Sequence, residues 1–558
     1  MSTPANGTAP RSTAKDGLAN KVKFRVLTGF APFWQGVQRS GPLERVVNRV
    51  LINNGIMTAA PRPYRLSTMS DYTSIESLTD QTYNSRQLAP VPADAPAHPD
   101  AREVADLFRR PVKQTADGKD VEVMRECAKS TVLFAYFAQW FTDGFLRSRR
   151  AEPDARTRFE DLDPQRYRDI TRSESTQEID MTQLYGLNRE QTLALRAKEG
   201  GLLKSQQIGG EEFPPYLCDE EGTIKPEFTS LPEPVGFRNP LLTPKQKKHF
   251  FAMGSDAGNS QIGYAMLNVL FLREHNRVAQ ELAGTHPTWD DERLFQTARN
   301  IVIVLLIKLV IEEYINHIAP YQFKFRMHPG VFSKQPWMRP NWIAAEFNLL
   351  YRWHSLIPSA IDVHGTPLPL PDTINDPQLL TKQGIGPLFD DSSRQRAGEV
   401  GLLNTSAFFH DMTTLPSIVQ SRVVRLPSYN DYREDFKMPR LTSFDQLTSS
   451  VRLREELQRL YGSVDKLEFY VGIFAEDPRP NSVLPSLLGT MVGLHAFSQV
   501  MTNPLLATGI WDHPDTFAPE GRRIITQTNS LAELVKRNLP AGADMPEVRL
   551  TRADWKRV

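Results

Sequence analysis

The chain has 558 residues, a mass of 63.3 kDa and a formal net charge of +1, with 23% charged, 40% hydrophobic and 9% aromatic residues. That length allows about two to four domains and a large core, while the balanced charge leaves no global field for a nucleic-acid partner and the composition excludes a disordered chain. Only two cysteines occur, Cys127 and Cys218, far apart in sequence; they read as free core thiols, and a reducing cytoplasm is the default compartment.

Residues 1–17 are polar, rich in Ser, Thr and Ala, lack an apolar signal core and read as a disordered tail. Residues 18–58 change character. Val22, Phe24, Val26, Leu27, Phe30, Phe33, Trp34 and Val37 interleave with Lys21, Lys23, Arg25 and Arg39, and then Val46, Val47, Val50 and Leu51 fall at helical spacing around Arg45 and Arg49. Short basic amphipathic helices of this kind suit a segment lying in one leaflet, with Trp34 at the interface; an ordinary helical pair packed on the body gives the same pattern. If the segment touches lipid, the protein is peripheral on the inner face of the membrane.

After a Pro-containing linker at 59–64, residues 59–558 read as the main unit. The Pro-rich stretch from Leu88 to Pro99 predicts an ordered coil. Apolar periodicity predicts helices over 130–147, 260–282, 291–319 and 342–354, and later over 398–410, 453–461, 486–500 and 531–537. The apolar run Ile301 to Ile311 contains Lys308, precedes Glu312 and Glu313, and is too short for a bilayer, so it reads as a buried core helix. No βαβ alternation, phosphate-cradling glycine loop or repeat is present, and the fold class is mainly α.

Within Phe347 to His354, a helix would put Tyr351 and His354 on one face. An imidazole that can hold iron beside a phenol that can lose an electron suits one-electron chemistry, although two satisfied core residues give the same spacing. The context decides more than the pair.

Ala344 to His354, together with Leu272 to Val278, Trp289, Asp291, Glu292 and Leu294 to Arg299, resembles the animal-type haem peroxidases, and within them the fatty-acid oxygenase branch of cyclooxygenases and linoleate dioxygenases. The resemblance runs with gaps from about residue 22 to 538 and implies a cyclooxygenase-like helical catalytic domain with a monotopic helical segment before it. It implies haem b with His354 as proximal iron ligand, Tyr351 as the radical residue and Tyr470 as the proximal support.

On the distal side, Leu133 to Leu146 resembles the distal haem helix, with Gln139 at the family's glutamine. Asp143 stands where the family has its distal histidine. A carboxylate there can still take a peroxide proton, but it is shorter and repels an anionic peroxide, so peroxidase turnover is expected to be weak; capping a turn or holding a cation is the alternative role. Thr176, Asp180 and Thr182 resemble the calcium loop of myeloperoxidase-like relatives, with Gly144 at the position of its aspartate. The two carboxylates that tether haem covalently in those relatives fall near Thr142 and Ser260, so haem is expected to be non-covalent.

By the same resemblance, Tyr314, Ile315, Ile318, Tyr321, Phe347, Leu350, Trp353, Val492, Phe497 and Ser498 would line an acyl channel, and the carboxylate-pairing arginine falls on Asn54. Without that ion pair the carboxylate has Arg49 or Arg62 to meet, the acid enters reversed, or the substrate belongs to another class of lipid. The implied activity is insertion of O2 into an unsaturated fatty acid to give a hydroperoxide. The rivals are a fatty-acid α-dioxygenase, a plain haem peroxidase and a non-catalytic haem- or lipid-binding protein.

Overall fold

The longest apolar run becomes the centre of the structure, a computed structural model that describes residues 25–58, 66–67, 75–92, 95–148 and 172–557. The expectations for the 1–17 tail, for residues 18–24 and for the 59–64 linker lie outside the described residues. The principal helices are α1 (Ala31–Arg39), α2 (Gly41–Ile56), α3 (Val132–Asp143), α4 (Ile262–Thr285), α5 (Asp291–Leu309), α6 (Ala345–Leu350), α7 (Leu415–Val423), α8 (Phe469–Ala475), α9 (Ser486–Met501) and α10 (Pro514–Gln527). Among the described residues, strands form only two-stranded antiparallel ribbons, so the fold is mainly α.

Helix α5 starts where Asp290 accepts the Arg293 amide, with Asp291 and Glu292 complementing the positive helix end. It is buried through its apolar run, against α4 and α10. Lys308 survives in this core because its Nζ donates to the carbonyls of Ile525 and Thr526, each at 3.0 Å, which close the end of α10. Instead of breaking, the helix widens into a π turn, Val310–Ile315, and ends at Ile318. One apolar core runs continuously from Leu27 to Leu550.

The N-terminal pair turns apolar residues both inward and outward: Trp34 and Val37 of α1 are buried, and the exposed apolar side lies mainly on α2. Helix α2 buries Glu44 and Asn48 with Ile52 and Ile56, while Leu43, Val46 and Val50 are exposed. The buried polar groups have tertiary partners: His328 Nε2 lies 3.0 Å from Glu44, and Asn48 pairs with the backbone of Arg326. Trp34, expected at a lipid interface, is instead a core residue, 6% exposed, its indole donating to the Val26 carbonyl at 2.8 Å. Phe30 (69%) and Phe33 (58%) are the aromatic rings left outside, with Arg25, Arg39, Arg45 and Arg49 also exposed.

Two predicted helices need correction. The helix over 342–354 is confined to Ala345–Leu350; Tyr351 and Trp353 leave helical geometry, and a 3-10 turn runs over His354–Leu356. The reason is packing: the Tyr351 and Trp353 rings meet at 4.8 Å, which residues two apart on a helix cannot do. No α-helix forms over 398–410, because Asn404 ties its amide to the backbone of Arg125 and Glu399 and Leu403 takes a positive φ of 55°. The helices near 260–282, 453–461, 486–500 and 531–537 are present, displaced by at most a few residues, and the stretch after Leu88 is coil where described.

Candidate active site

Helix α3 is core on nearly every side, with Gln139 and Asp143 its only residues that are not buried. Four residues apart, they share one face, so the helix presents an amide and a carboxylate on its one accessible side. Gln139 accepts from the Gln261 amide at 3.1 Å. Asp143 lies 3.6 Å from Arg147, one turn on, and Arg147 is also paired with Asp256. Although burial pulls it down, Asp256 and Asp143 raise the Arg147 guanidinium above its ordinary value. A carboxylate paired with an arginine thus stands at the position where the resemblance puts a distal acid–base group.

His354 borders the same part of the core. Phe134 of α3 stacks on Trp353, the preceding residue, at 6.1 Å, and Phe409 flanks the His354 ring at 5.1 Å. Burial, reinforced by Arg352, holds the His354 imidazole down at about 3, so it is neutral at physiological pH. The ring makes no hydrogen bond to any described residue. A neutral, partly accessible imidazole with uncommitted nitrogens is what an iron ligand needs, so these residues fit haem. Tyr470 packs on Phe108 at 5.5 Å; burial pushes its phenol up to about 12, with Ser417 and Arg352 opposing. No asparagine occurs in α7, which carries Ser417.

Tyr351 sits in an aromatic enclosure, 5.5 Å from Phe347 and 4.8 Å from Trp353. Its hydroxyl is buried without a hydrogen-bond partner, as are the Tyr314 hydroxyl and the Trp353 indole N–H. The hydroxyls of Tyr314 and Tyr351 perturb one another, and burial raises both phenols far above their ordinary range. The π turn places Tyr314 there, against Phe134 at 5.5 Å and Phe141 at 5.7 Å.

The predicted lining residues fall into one connected region. Ile315 shares the π turn with Tyr314; Val492, Phe497 and Ser498 lie on α9, which packs on α6 (with Phe347 and Leu350) and on the π turn. Ile318 and Tyr321 follow that turn, and Tyr321, Phe325 and Phe497 form a file with ring separations of 6.3 and 4.7 Å. Asn54 is exposed and neutral, and Arg62 lies outside the described residues.

The calcium-loop residues do reach α3, but their oxygens have protein partners. Thr182 donates to the Gly144 carbonyl at 2.8 Å, Thr176 donates to Glu178, and Asp180 accepts from the Thr182 amide at 3.1 Å. Burial raises Asp180 to about 6, with Arg299 opposing. Among the described residues no group of three or more His, Cys, Asp or Glu could hold a metal. Thr142 donates to the Ala138 carbonyl, and Ser260 has an unpaired buried hydroxyl; neither carries a carboxylate for an ester link.

Phe134, Phe409 and His495 escaped the sequence reading. His495 stacks on Phe347 at 4.9 Å. Their sequence positions carry no sign of these tertiary contacts; only the unusual aromatic density of α3 pointed to Phe134.

A sequence model described as animal haem peroxidase matches residues 142–549. The chain belongs to the animal haem peroxidase family. It is 30% identical to prostaglandin G/H synthase 2 of Bos taurus over 532 residues, covering 93% of this chain and 81% of that protein. It is 30% identical to prostaglandin G/H synthase 1 of Mus musculus over 513 residues, covering 90% and 78%. Among solved structures, a variant of Oryza sativa fatty acid alpha-dioxygenase with palmitic acid superposes with a TM-score of 0.67 at 18% identity, over 94% of each chain. Peroxidase A from Dictyostelium discoideum gives 0.65 at 18% identity, over 88% of this chain and all of that one. Those two likenesses show this family member's fold.

Proposed function

We propose that the protein is a haem- and tyrosyl-radical-dependent dioxygenase that inserts O2 into an unsaturated fatty acid to give a hydroperoxide. The observation that carries this reading is the unpaired Tyr351 hydroxyl, enclosed by rings and facing Tyr314, three residues from a neutral His354 with free ring nitrogens. The prostaglandin synthase relatives and the palmitate-bound neighbour support a fatty acid as substrate.

His354 would hold haem b without a covalent bond, and haem, when bound, supplies the one-electron oxidising equivalent. Tyr351 would give an electron and its hydroxyl proton to that oxidant and become a phenoxyl radical. That radical takes a hydrogen atom from an allylic or bis-allylic carbon, which restores the phenol. O2 adds to the carbon radical, and the resulting lipid peroxyl takes the Tyr351 hydrogen, forming the hydroperoxide and renewing the radical. Phe347, Trp353 and Tyr314 exclude water from this oxygen atom and, with it, the small dissolved reductants that would quench a phenoxyl radical. Asp143 would serve as the base for a peroxide proton, a slow one because Arg147 is already paired with it.

In the same reading residues 59–558 form the catalytic domain and residues 18–58 contact a membrane surface from the cytoplasmic side, supported by the outward apolar face of α2. A calcium ion in the Thr176–Thr182 loop is its finest element, and elemental analysis after chelation decides it.

Oxygen uptake on linoleate by the haem-loaded protein tests the proposal. Wild type should consume O2 and Tyr351→Phe should not, with an unchanged haem spectrum; uptake surviving in the variant refutes it. An α-dioxygenase is the second reading, favoured by the superposition on the rice enzyme. Mass spectrometry separates the two, since oxidation at C2 would place the new oxygen beside the carboxylate.

A further inference from the structure

Lys129, Lys324 and Arg557 converge from three parts of the chain: the ribbon strand before α3, the segment after the π turn, and the C-terminal tail. Lys129 is buried, its Nζ donating to the Asn481 carbonyl at 3.1 Å and lying 4.9 Å from the Trp555 ring. Arg557 lies 5.6 Å from the same ring and donates to the carbonyls of Pro320 and of Tyr321, the latter at 3.0 Å. Lys324 donates to the Asn316 carbonyl at 3.4 Å. All three meet only neutral oxygens; no carboxylate among the described residues lies within ion-pair distance of any of them. Burial, then Lys324 and Arg557, push the Lys129 ammonium down to about 7. Like charges drawn together without a counter-ion are costly to fold, and an anion placed between them offsets that cost.

We propose that Lys129, Lys324 and Arg557 form the docking point for the carboxylate of the fatty acid, an inference that rests on the reading above. Their position supports it from two sides. Inward, Arg557 is bonded to the backbone of Tyr321, which opens the file Tyr321, Phe325, Phe497 leading to α9 and so to Phe347 beside Tyr351. Outward, the Lys324 carbonyl accepts from Gln38 at 3.2 Å, and Phe323 meets Trp34 at 5.8 Å, so the cations border the N-terminal pair whose other side is apolar and exposed. A fatty acid arriving from a lipid surface would meet the cations first and thread its tail along the aromatic file.

The shared chemistry, an anionic head on an acyl chain, also describes an anionic phospholipid, and the test separates the two. Binding of linoleate and of linoleyl alcohol to the full-length haem-loaded protein is measured by displacement of a fluorescent fatty acid, for wild type, for exposed Lys324→Gln, and for Lys129→Gln with its rescue Lys129→Arg. Linoleate affinity should fall about tenfold in each glutamine variant, the loss typical of one charge-assisted hydrogen bond. Linoleyl alcohol should bind as before and Lys129→Arg should recover linoleate. Equal losses for acid and alcohol, or no loss for either, overturn the proposal. So does an unchanged linoleate affinity accompanied by lost binding to phosphatidylglycerol vesicles, which would make the cations a membrane contact. Because displacement needs no turnover, an oxygenase reading that fails shows separately, as bound linoleate without O2 uptake.

Discussion

At the scale of single residues, the Tyr314 and Tyr351 hydroxyls lie close enough to perturb one another, and with the Trp353 N–H they share one small region that lacks a well-formed hydrogen bond. Each such buried group costs about 1–3 kcal/mol, so a protein keeps several together only where something else requires them. Replacing Tyr314 by Phe should therefore raise the unfolding free energy, by up to about 1 kcal/mol in urea titration, while Tyr351 chemistry is altered; a large loss of stability would mean that the hydroxyl is bonded after all. His354→Ala should leave a folded protein that does not retain haem through gel filtration, and a persisting Soret band would remove His354 as ligand. For Asp143, the expected result is a drop of about a hundredfold in hydrogen peroxide turnover in Asp143→Asn. Turnover that stays at the wild-type rate assigns Asp143 to the Arg147 ion pair alone. These residues were legible because each stands in a stretch that resembles a known signature. The contacts that make them work were not: Phe409 against His354 and Phe134 between Tyr314 and Trp353 are meetings of distant segments.

Among the elements, the N-terminal pair departs furthest from what spacing implies. Its hydrophobic periodicity reads as helix correctly, but periodicity alone does not say which face turns inward. Glu44 and Asn48 turn inward because His328 and the Arg326 backbone are there to meet them, which leaves Val46, Val50, Phe30 and Phe33 outside. Changing those four to Ser should abolish sedimentation with anionic vesicles while moving stability by no more than about 0.5 kcal/mol per site. Sedimentation that persists would mean that these helices do not carry the membrane contact. The same tertiary override shortens the helix that leads into Tyr351. Its sequence is apolar and helical to His354, but the ring of Trp353 gains more by folding back onto Tyr351 than the backbone gains by another turn. Where an element is long and apolar on most of its circumference, as α4, α5 and α9 are, no such override operates and their positions followed from the sequence.

For the molecule as a whole, the continuous core buries imidazoles that must stay neutral. Burial holds His275 down at about 4, and His317 lies well below its ordinary value for the same reason. As pH falls below about 6.5 the unfolded chain takes up these protons and the folded one does not, so stability falls by up to about 1.4 kcal/mol per pH unit for each histidine, until the folded pKa is reached. Urea midpoints should accordingly decline between pH 7 and pH 5; a flat profile would contradict the burial of both rings. The account as a whole stands on the claim that oxidising equivalents reach Tyr351. Freeze-quench electron paramagnetic resonance of the haem-loaded protein mixed with a lipid hydroperoxide tests that directly, with ring-deuterated tyrosine to identify the radical. The predicted result is a tyrosyl signal, narrowed by deuteration, that is absent in Tyr351→Phe; a tyrosyl signal of the same shape and yield in that variant would contradict it.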